Sequence, residues 1–320
     1  MTTLILTRRD VAHLLTMPET LSAVEGAFSA YASGTALMPP KAYLTLDNGD
    51  FRAMPAAVPG AAGMKWINVH LGNSSIGLPS IMGIIIYSDP NTGYPLAIMD
   101  GTEITAYRTG AAAAIASRQL AKRDARVLGL IGAGHQADTQ IKAHLEYFQF
   151  DEIRVFDRSP ESAGRLVERF PELPLTVTSL ENVCGADIIC TLTPSRTPFL
   201  KYRWLKPGAH INAIGADASG KQELEFEVLL NARVVVDDVY QATHAGELNM
   251  SIAAGTFNES RIYATLGELT AGLKTGRTED ETITVFDSTG LAIQDIACAR
   301  YIYYKAGQQG AGQAFDLIGV

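Results

Sequence analysis

Val127-Leu128-Gly129-Leu130-Ile131-Gly132-Ala133-Gly134-His135-Gln136-Ala137 is the stretch on which the fold turns. A short apolar run ends at Gly132, the spacing becomes Gly-x-Gly-x-x-Ala, and Ala137, Ile141, Leu145 and Phe148 then recur at helical intervals. Strand, glycine turn and helix in that order make a cradle for a pyrophosphate. Gly132 permits the tight turn, Gly134 lets the backbone approach the phosphates, and Ala137 allows close packing of helix on strand. The helix N-terminus adds N–H groups and a favourable dipole. Asp157 ends the next apolar run, 25 positions after Gly132, close to the spacing of roughly 20 expected of an acid that binds a ribose 2′-hydroxyl. That favours NAD. Arg158 and Ser159 follow directly and could meet a 2′-phosphate, so NADP stays open. A surface turn with a solvated aspartate is the alternative, and the strand–turn–helix–strand context argues against it.

Working outward from this stretch, the C-terminal side alternates strand and helix. Residues 126–131, 152–157, 175–178, 187–192, 210–214, 233–236 and 282–286 read as strands, and Ser159-Pro160 opens a helix carrying Leu166, Val167 and Phe170. Such alternation implies a doubly wound, mostly parallel sheet, so the fold class is α/β with a Rossmann domain over 119–290. On the N-terminal side, Thr16, Pro18 and Glu19 have the spacing of a helix start, with Leu21, Val24, Phe28 and Tyr31 behind them. Residues 42–46, 63–68 and 81–87 read as strands, and a long helix runs from about Thr102 to Ala121. Residues 291–305 read as a helix that leaves the sheet and returns to the N-terminal domain. The expected division is therefore 1–118, completed by 291–320, and 119–290.

Bulk properties narrow the function. The net charge of −8 argues against a nucleic-acid partner. Cys184, Cys190 and Cys298 are odd in number and contain no CxxC, which fits reduced thiols in the cytoplasm. The six histidines form no HxxxH or HExxH pair, so no metal site is expected. No apolar stretch is long enough to span a bilayer, and residues 1–9 lack a cleavable apolar core.

Four charged residues stand in unusual surroundings. Lys65 precedes Trp66-Ile67 within a strand. Burial there would lower its pKa and suit it to proton transfer near neutral pH, although periodicity alone favours an edge-strand lysine in solvent. Arg52 precedes the apolar run 53–58, and Arg108 lies in the long helix. Each has a fork suited to a carboxylate or phosphate, and singly each reads as a surface ion-pair residue. Asp217 follows the strand 210–214 through Gly215-Ala216. It is placed either to face a nicotinamide at the carboxyl end of the sheet or to cap the Ser219-Gly220 turn.

Three stretches together resemble the ornithine cyclodeaminase/mu-crystallin family, closest to its archaeal-type alanine dehydrogenase branch. They are Phe51-Arg52-Ala53-Met54-Pro55 with Lys65-Trp66-Ile67-Asn68-Val69-His70; Gly93-Tyr94-Pro95-Leu96 through Asp100 with Thr105-Ala106-Tyr107-Arg108-Thr109-Gly110; and His210 through Asp217 with Gly220-Lys221-Gln222-Glu223-Leu224. The resemblance covers about residues 5–305. It implies that Arg52 and Arg108 bind the substrate carboxylate, that Lys65 and Asp217 are catalytic, and that Ser80 lines the substrate site. It adds Arg108, Thr109, His135, Gln136, Asp157, Arg158, Ser159 and Ser288 as cofactor contacts. The second α/β domain would bind substrate and pair two subunits into a homodimer. Ser80 replaces a frequent threonine and keeps its hydroxyl; Ser219 replaces a usual proline beside Asp217. Cyclodeaminases proper tend to have Asn-Gly-His where Asn68-Val69-His70 stands, which tilts the implied activity towards NAD(P)-dependent oxidation of a small amino acid, or reduction of an imino or 2-oxo acid with an amine. An NAD-using ammonia lyase and a non-catalytic crystallin-like binding protein are the alternatives.

Overall fold

The computed structural model describes residues 1–319. They divide into two compact units, Met1–Arg108 joined by the C-terminal segment from Leu291 onward, and Thr109–Gly290. The dividing point falls inside one continuous helix, Thr102–Leu120. In chain order the strands are β1 (Thr3–Leu6), β2 (Ala42–Leu46), β3 (Gly49–Val58), β4 (Ala61–Val69), β5 (Ile81–Ser88), β6 (Pro95–Asp100), β7 (Val127–Ile131), β8 (Glu152–Phe156), β9 (Leu175–Val177), β10 (Ile188–Thr191), β11 (His210–Ala213), β12 (Ala232–Val236), β13 (Ile262–Thr265), β14 (Ile283–Asp287) and β15 (Gln313–Phe315).

The first unit is a mixed sheet in the order β15-β1-β6-β5-β4-β3-β2. Strands β2 to β6 run antiparallel to one another, β1 is parallel to β6, and β15 closes the edge antiparallel to β1. The apolar run 53–58 proves to be the second half of β3, where Arg52, Met54, Ala56 and Val58 are buried in alternation. Pro55 is tolerated there because pairing with β2 ends at Ala53, so its missing N–H breaks no bond on that side. The helix Met17–Ala32 begins after Thr16 as the spacing implies, but the Thr16 hydroxyl donates to Glu19 at 2.6 Å and makes no cap bond. A complete capping box occurs earlier, between Thr7 and Asp10, and opens an unforeseen helix Arg8–Leu14. The last long helix, Ala292–Gln309, belongs to this unit and packs on Met17–Ala32 and on β3, β4 and β5.

The second unit is an all-parallel Rossmann sheet in the order β13-β12-β14-β11-β10-β7-β8-β9. From β7 the chain winds outward through β8 and β9, then returns to β10 and continues on the other side. The order reverses between β7 and β10, and the crevice outside the carboxyl ends of strands at such a switch is where ligands bind.

One face was misread. In the helix His135–Leu145, Ala137 and Ile141 are buried, but Leu145 is 38% exposed and Phe148 lies beyond the helix end, stacked on Phe150. The buried face is instead partly polar. His144 Nε2 pairs with Ser117 Oγ at 2.9 Å, Asn212 donates to Ser117 Oγ at 2.8 Å, and His210 joins Asn212 to Thr284. Burial holds both histidines neutral, His144 at about 4 and His210 at about 3, the latter helped by the Arg277 charge. Among the described residues, no helix is long and apolar enough to cross a membrane.

Candidate active site

In the first unit, chemistry is concentrated on the helix-covered face of the sheet. β4 is an interior strand, and Lys65 pairs in register with Met54 on β3 and Ile85 on β5, both buried. Cross-strand partners share a face, so Lys65 projects among apolar neighbours and is fully buried rather than solvated. Its ammonium has polar partners. Nζ lies 2.6 Å from Asp295 Oδ2 and donates to Thr105 Oγ1 at 3.2 Å. Arg108 joins them, its Nε donating to Asp295 Oδ1 at 3.2 Å and its Nη1 to Gln294 Oε1 at 3.1 Å. Burial pulls the Lys65 ammonium down from 10.5 to about 7. Asp295 opposes that shift, while Arg108 and Lys41 add to it.

Arg52 lies on the same face of the sheet, opposite Ile67 and two residues before Met54. Asp50 accepts from Arg52 Nε at 2.7 Å, and the guanidinium lies over the Tyr43 ring at 5.3 Å from its centroid. A fork held by a carboxylate and an aromatic face is pre-organised for a planar anion. Ser80 precedes β5, and its carbonyl accepts from the His70 N–H at 2.8 Å. The structure thus brings Arg52, Lys65 and Arg108 into one unit. It adds Asp50, Gln294 and Asp295, which sequence reasoning missed. Asp295 reads in sequence as an ordinary acid in the first turn of a helix; its neighbours Ile293 and Ile296, both buried, were the available signal.

In the second unit the glycine stretch lines a cavity of about 850 Å³ with Asp157, Arg158, Thr193 and Phe199. Gly132 has φ +108°, a conformation that L side chains rarely adopt. Gly134 is the N-cap of the helix His135–Leu145, with no side-chain cap, and a Cβ there would meet nothing within 4 Å. Asp157 ties the turn to the next helix: Oδ2 accepts from Ala133 N–H at 2.7 Å and Oδ1 from Ser159 N–H at 2.8 Å. Each oxygen keeps a second lone pair for a ribose hydroxyl. Gln136 Oε1 and Ser288 Oγ are buried without a hydrogen-bond partner, and such polar atoms call for a ligand or water. An open glycine cradle, an uncapped helix N-terminus and a fixed aspartate fit a dinucleotide.

The rim of this sheet is held by buried carboxylates. Glu223 accepts from Thr191 Oγ1, Thr193 N–H, Thr193 Oγ1 and Gly215 N–H at 2.6–3.0 Å. Glu247 accepts from the Glu223 and Leu224 N–H groups, and Asp287 from those of Glu247 and Leu248. Burial raises the carboxyl groups of Glu223 and Glu247. Asp217 lies beyond this framework, with Lys221 Nζ at 2.5 Å.

Fold and site define a dinucleotide-binding α/β protein with a buried cationic centre. The chain belongs to the ornithine cyclodeaminase/mu-crystallin family, whose model matches residues 1–310. It is 47% identical over 314 residues to an alanine dehydrogenase of Archaeoglobus fulgidus, covering 98% of each chain. Among solved structures, an archaeal alanine dehydrogenase dimer with bound NAD matches with a TM-score of 0.98 at 46% identity, over 99% of this chain and 100% of that one. The Δ1-pyrroline-2-carboxylate reductase of Thermococcus litoralis, in complex with NADH and L-proline, matches with a TM-score of 0.95 at 34% identity, over 97% of this chain and 99% of that one.

Proposed function

We propose that this protein is an NAD-dependent oxidoreductase acting on the CH–NH2 or CH–NH group of a small amino or imino acid, of the alanine dehydrogenase or ketimine reductase kind. The observation that carries this reading is Lys65, an ammonium buried on an apolar sheet face and brought to about 7 beside Asp295 and Arg108. A group that titrates near working pH can both give and take a proton. The similarity to an alanine dehydrogenase and a pyrroline-2-carboxylate reductase supports the substrate class.

Arg52 holds the substrate carboxylate through its pre-formed fork, and Arg108 and Ser80 complete that end of the substrate. Lys65 protonates the carbinolamine hydroxyl as water leaves and takes the proton back in the oxidative direction. Asp217, oriented by Lys221, is the second proton-transfer group. When bound, the reduced cofactor would supply a hydride to the substrate Cα, and the oxidised cofactor would accept it in the reverse direction. The dinucleotide would be held by Gly132, Gly134, His135, Gln136, Asp157, Arg158 and Ser159, with Arg108, Thr109 and Ser288 as further contacts. The Asp157 carboxylate would accept from a ribose 2′-hydroxyl and repel a 2′-phosphate, which favours NAD over NADP. The protein works as a homodimer, like the archaeal relative. Its three free, buried cysteines fit a reducing cytoplasm.

The test is the loss of NADH absorbance with pyruvate plus ammonium or methylamine, and with a cyclic imino acid. Steady oxidation supports the reading. Ammonia release from ornithine with only catalytic NAD, and no net NADH consumption, replaces it with a lyase. NADH binding without turnover of any of these substrates leaves a binding protein.

A further inference from the structure

Gln294 and Asp295 open the helix Ala292–Gln309 and are wholly buried, between Ile293 and Ile296. A buried carboxylate costs several kcal/mol unless it is paired. Asp295 is paired twice: Oδ2 lies 2.6 Å from Lys65 Nζ, and Oδ1 accepts from Arg108 Nε at 3.2 Å. One carboxylate therefore stands between two cations brought by a strand and by a different helix. Gln294 steadies the second cation through Arg108 Nη1 at 3.1 Å. The other groups that bear on this trio are Thr105, whose hydroxyl accepts from Lys65, Lys41 ahead of β2, and Cys298 one turn along the same helix.

We infer that Asp295 is a positioning residue that sets the orientation and the proton affinity of Lys65 and holds Arg108 in the same constellation. The inference rests on the proton-transfer role proposed for Lys65. Without the carboxylate, Lys65 would face Arg108 and Lys41 uncompensated on an apolar wall, and its charged form would be disfavoured further. With it, desolvation is opposed from one side only, and the ammonium titrates near neutrality. The ammonium is held between that carboxylate oxygen at 2.6 Å and the Thr105 hydroxyl at 3.2 Å.

Asp295→Asn keeps the shape and removes the charge. The lysine ε-carbons are labelled with carbon-13, the Lys65 signal is assigned by its absence in Lys65→Met, and its titration is followed by NMR without substrate. In the unaltered protein Lys65 titrates at about 7. In Asp295→Asn it titrates at least about one pH unit lower, equivalent to a tenfold weaker hold on the proton. The alkaline limb of reductive kcat/KM moves down with it. Asp295→Glu restores the carboxylate and brings the titration back towards 7. Should Asp295→Asn not fold, Arg108→Gln tests the same coupling with the opposite sign: removing the competing cation raises the Lys65 titration. A folded Asp295→Asn, or Arg108→Gln, in which Lys65 titrates as in the unaltered protein overturns the inference. Because the titration is read without substrate, absence of turnover would sink the proposed function and leave this result standing.

Discussion

The two glycines of the cradle make a paired experiment. At Gly132 the backbone has φ +108°, and an added Cβ would lie 3.1 Å from Leu192 O and 3.2 Å from two further Leu192 atoms. An L residue held in left-handed backbone costs roughly 1–2 kcal/mol, and forced contacts add about 1 kcal/mol or more. Gly132→Ala should therefore destabilise the Rossmann unit by about 2–3 kcal/mol, a fall in melting temperature of roughly 4–12 °C for a unit of this size. Gly134 is different. Its φ is −76°, and a Cβ would meet nothing within 4 Å. Exchange of glycine for alanine at an N-cap costs under about 1 kcal/mol, so Gly134→Ala should fold as the unaltered protein does. Yet its methyl group occupies the space through which a pyrophosphate reaches the helix N-terminus. A displaced phosphate loses charge-assisted bonds worth about 1.5–3 kcal/mol, a weakening of NADH binding of roughly 10- to 100-fold. Calorimetric binding of NADH and thermal melting without ligand read the two effects separately. Gly134→Ala binding NADH as tightly as the unaltered protein would refute the placement of the dinucleotide.

Three further outcomes are expected. Arg52→Met should raise KM for the carboxylate substrate by roughly 10- to 100-fold, from loss of about 1.5–3 kcal/mol of charge-assisted bonding, with NADH affinity within about twofold; steady-state kinetics and calorimetry check it. Glu223→Gln should destabilise the Rossmann unit by about 1–3 kcal/mol, read by thermal melting without ligand, because an amide cannot accept from both Thr193 and Gly215 N–H groups and leaves a buried donor orphaned. The buried histidines bear on acid stability. Their folded pKa values are depressed, so their contribution is intact above about 6.5 and is lost as pH falls towards 4. The raised carboxyls of Glu223 and Glu247 act in the opposite sense. Comparing variants isolates one histidine: between pH 7 and pH 5, His144→Gln should lose about 2 kcal/mol less in urea denaturation than the unaltered protein. An equal loss in both would mean that His144 is not held neutral.

The Rossmann half was legible because its signals are local. The glycine spacing, the flanking strands and Asp157 all lie within one β–α–β stretch, and each obeys a short-range rule. The mixed sheet was legible in part. Strand β3 was hidden by Pro55, β1 has only four residues and the edge strand β15 three, and β6 begins at a proline. The helix Thr102–Leu120 is continuous and alanine-rich, so nothing in composition marks the point at Arg108 where one compact unit passes into the other. Lys65 shows most plainly what periodicity cannot give. Alternation along β4 says which face a side chain takes, but not that Asp295, 230 positions away (295 − 65), will meet it. The same holds for His144, whose partners Ser117 and Asn212 come from a distant helix and strand; the spacing within 135–145 alone puts Leu145 in the core, where it is not.

Hydride delivery to the substrate is the centre of this account, and isotope tracing tests it most directly. NADH carrying deuterium at both positions of the reactive nicotinamide carbon is supplied with pyruvate and ammonium, and with a cyclic imino acid, and the product is examined by mass spectrometry and proton NMR. The account predicts one deuterium at Cα of the amino acid for each NADH consumed, and loss of that label transfer in Lys65→Met while NADH still binds. Oxidised NADH with an unlabelled product, or no NADH consumed in the presence of either substrate, would contradict it.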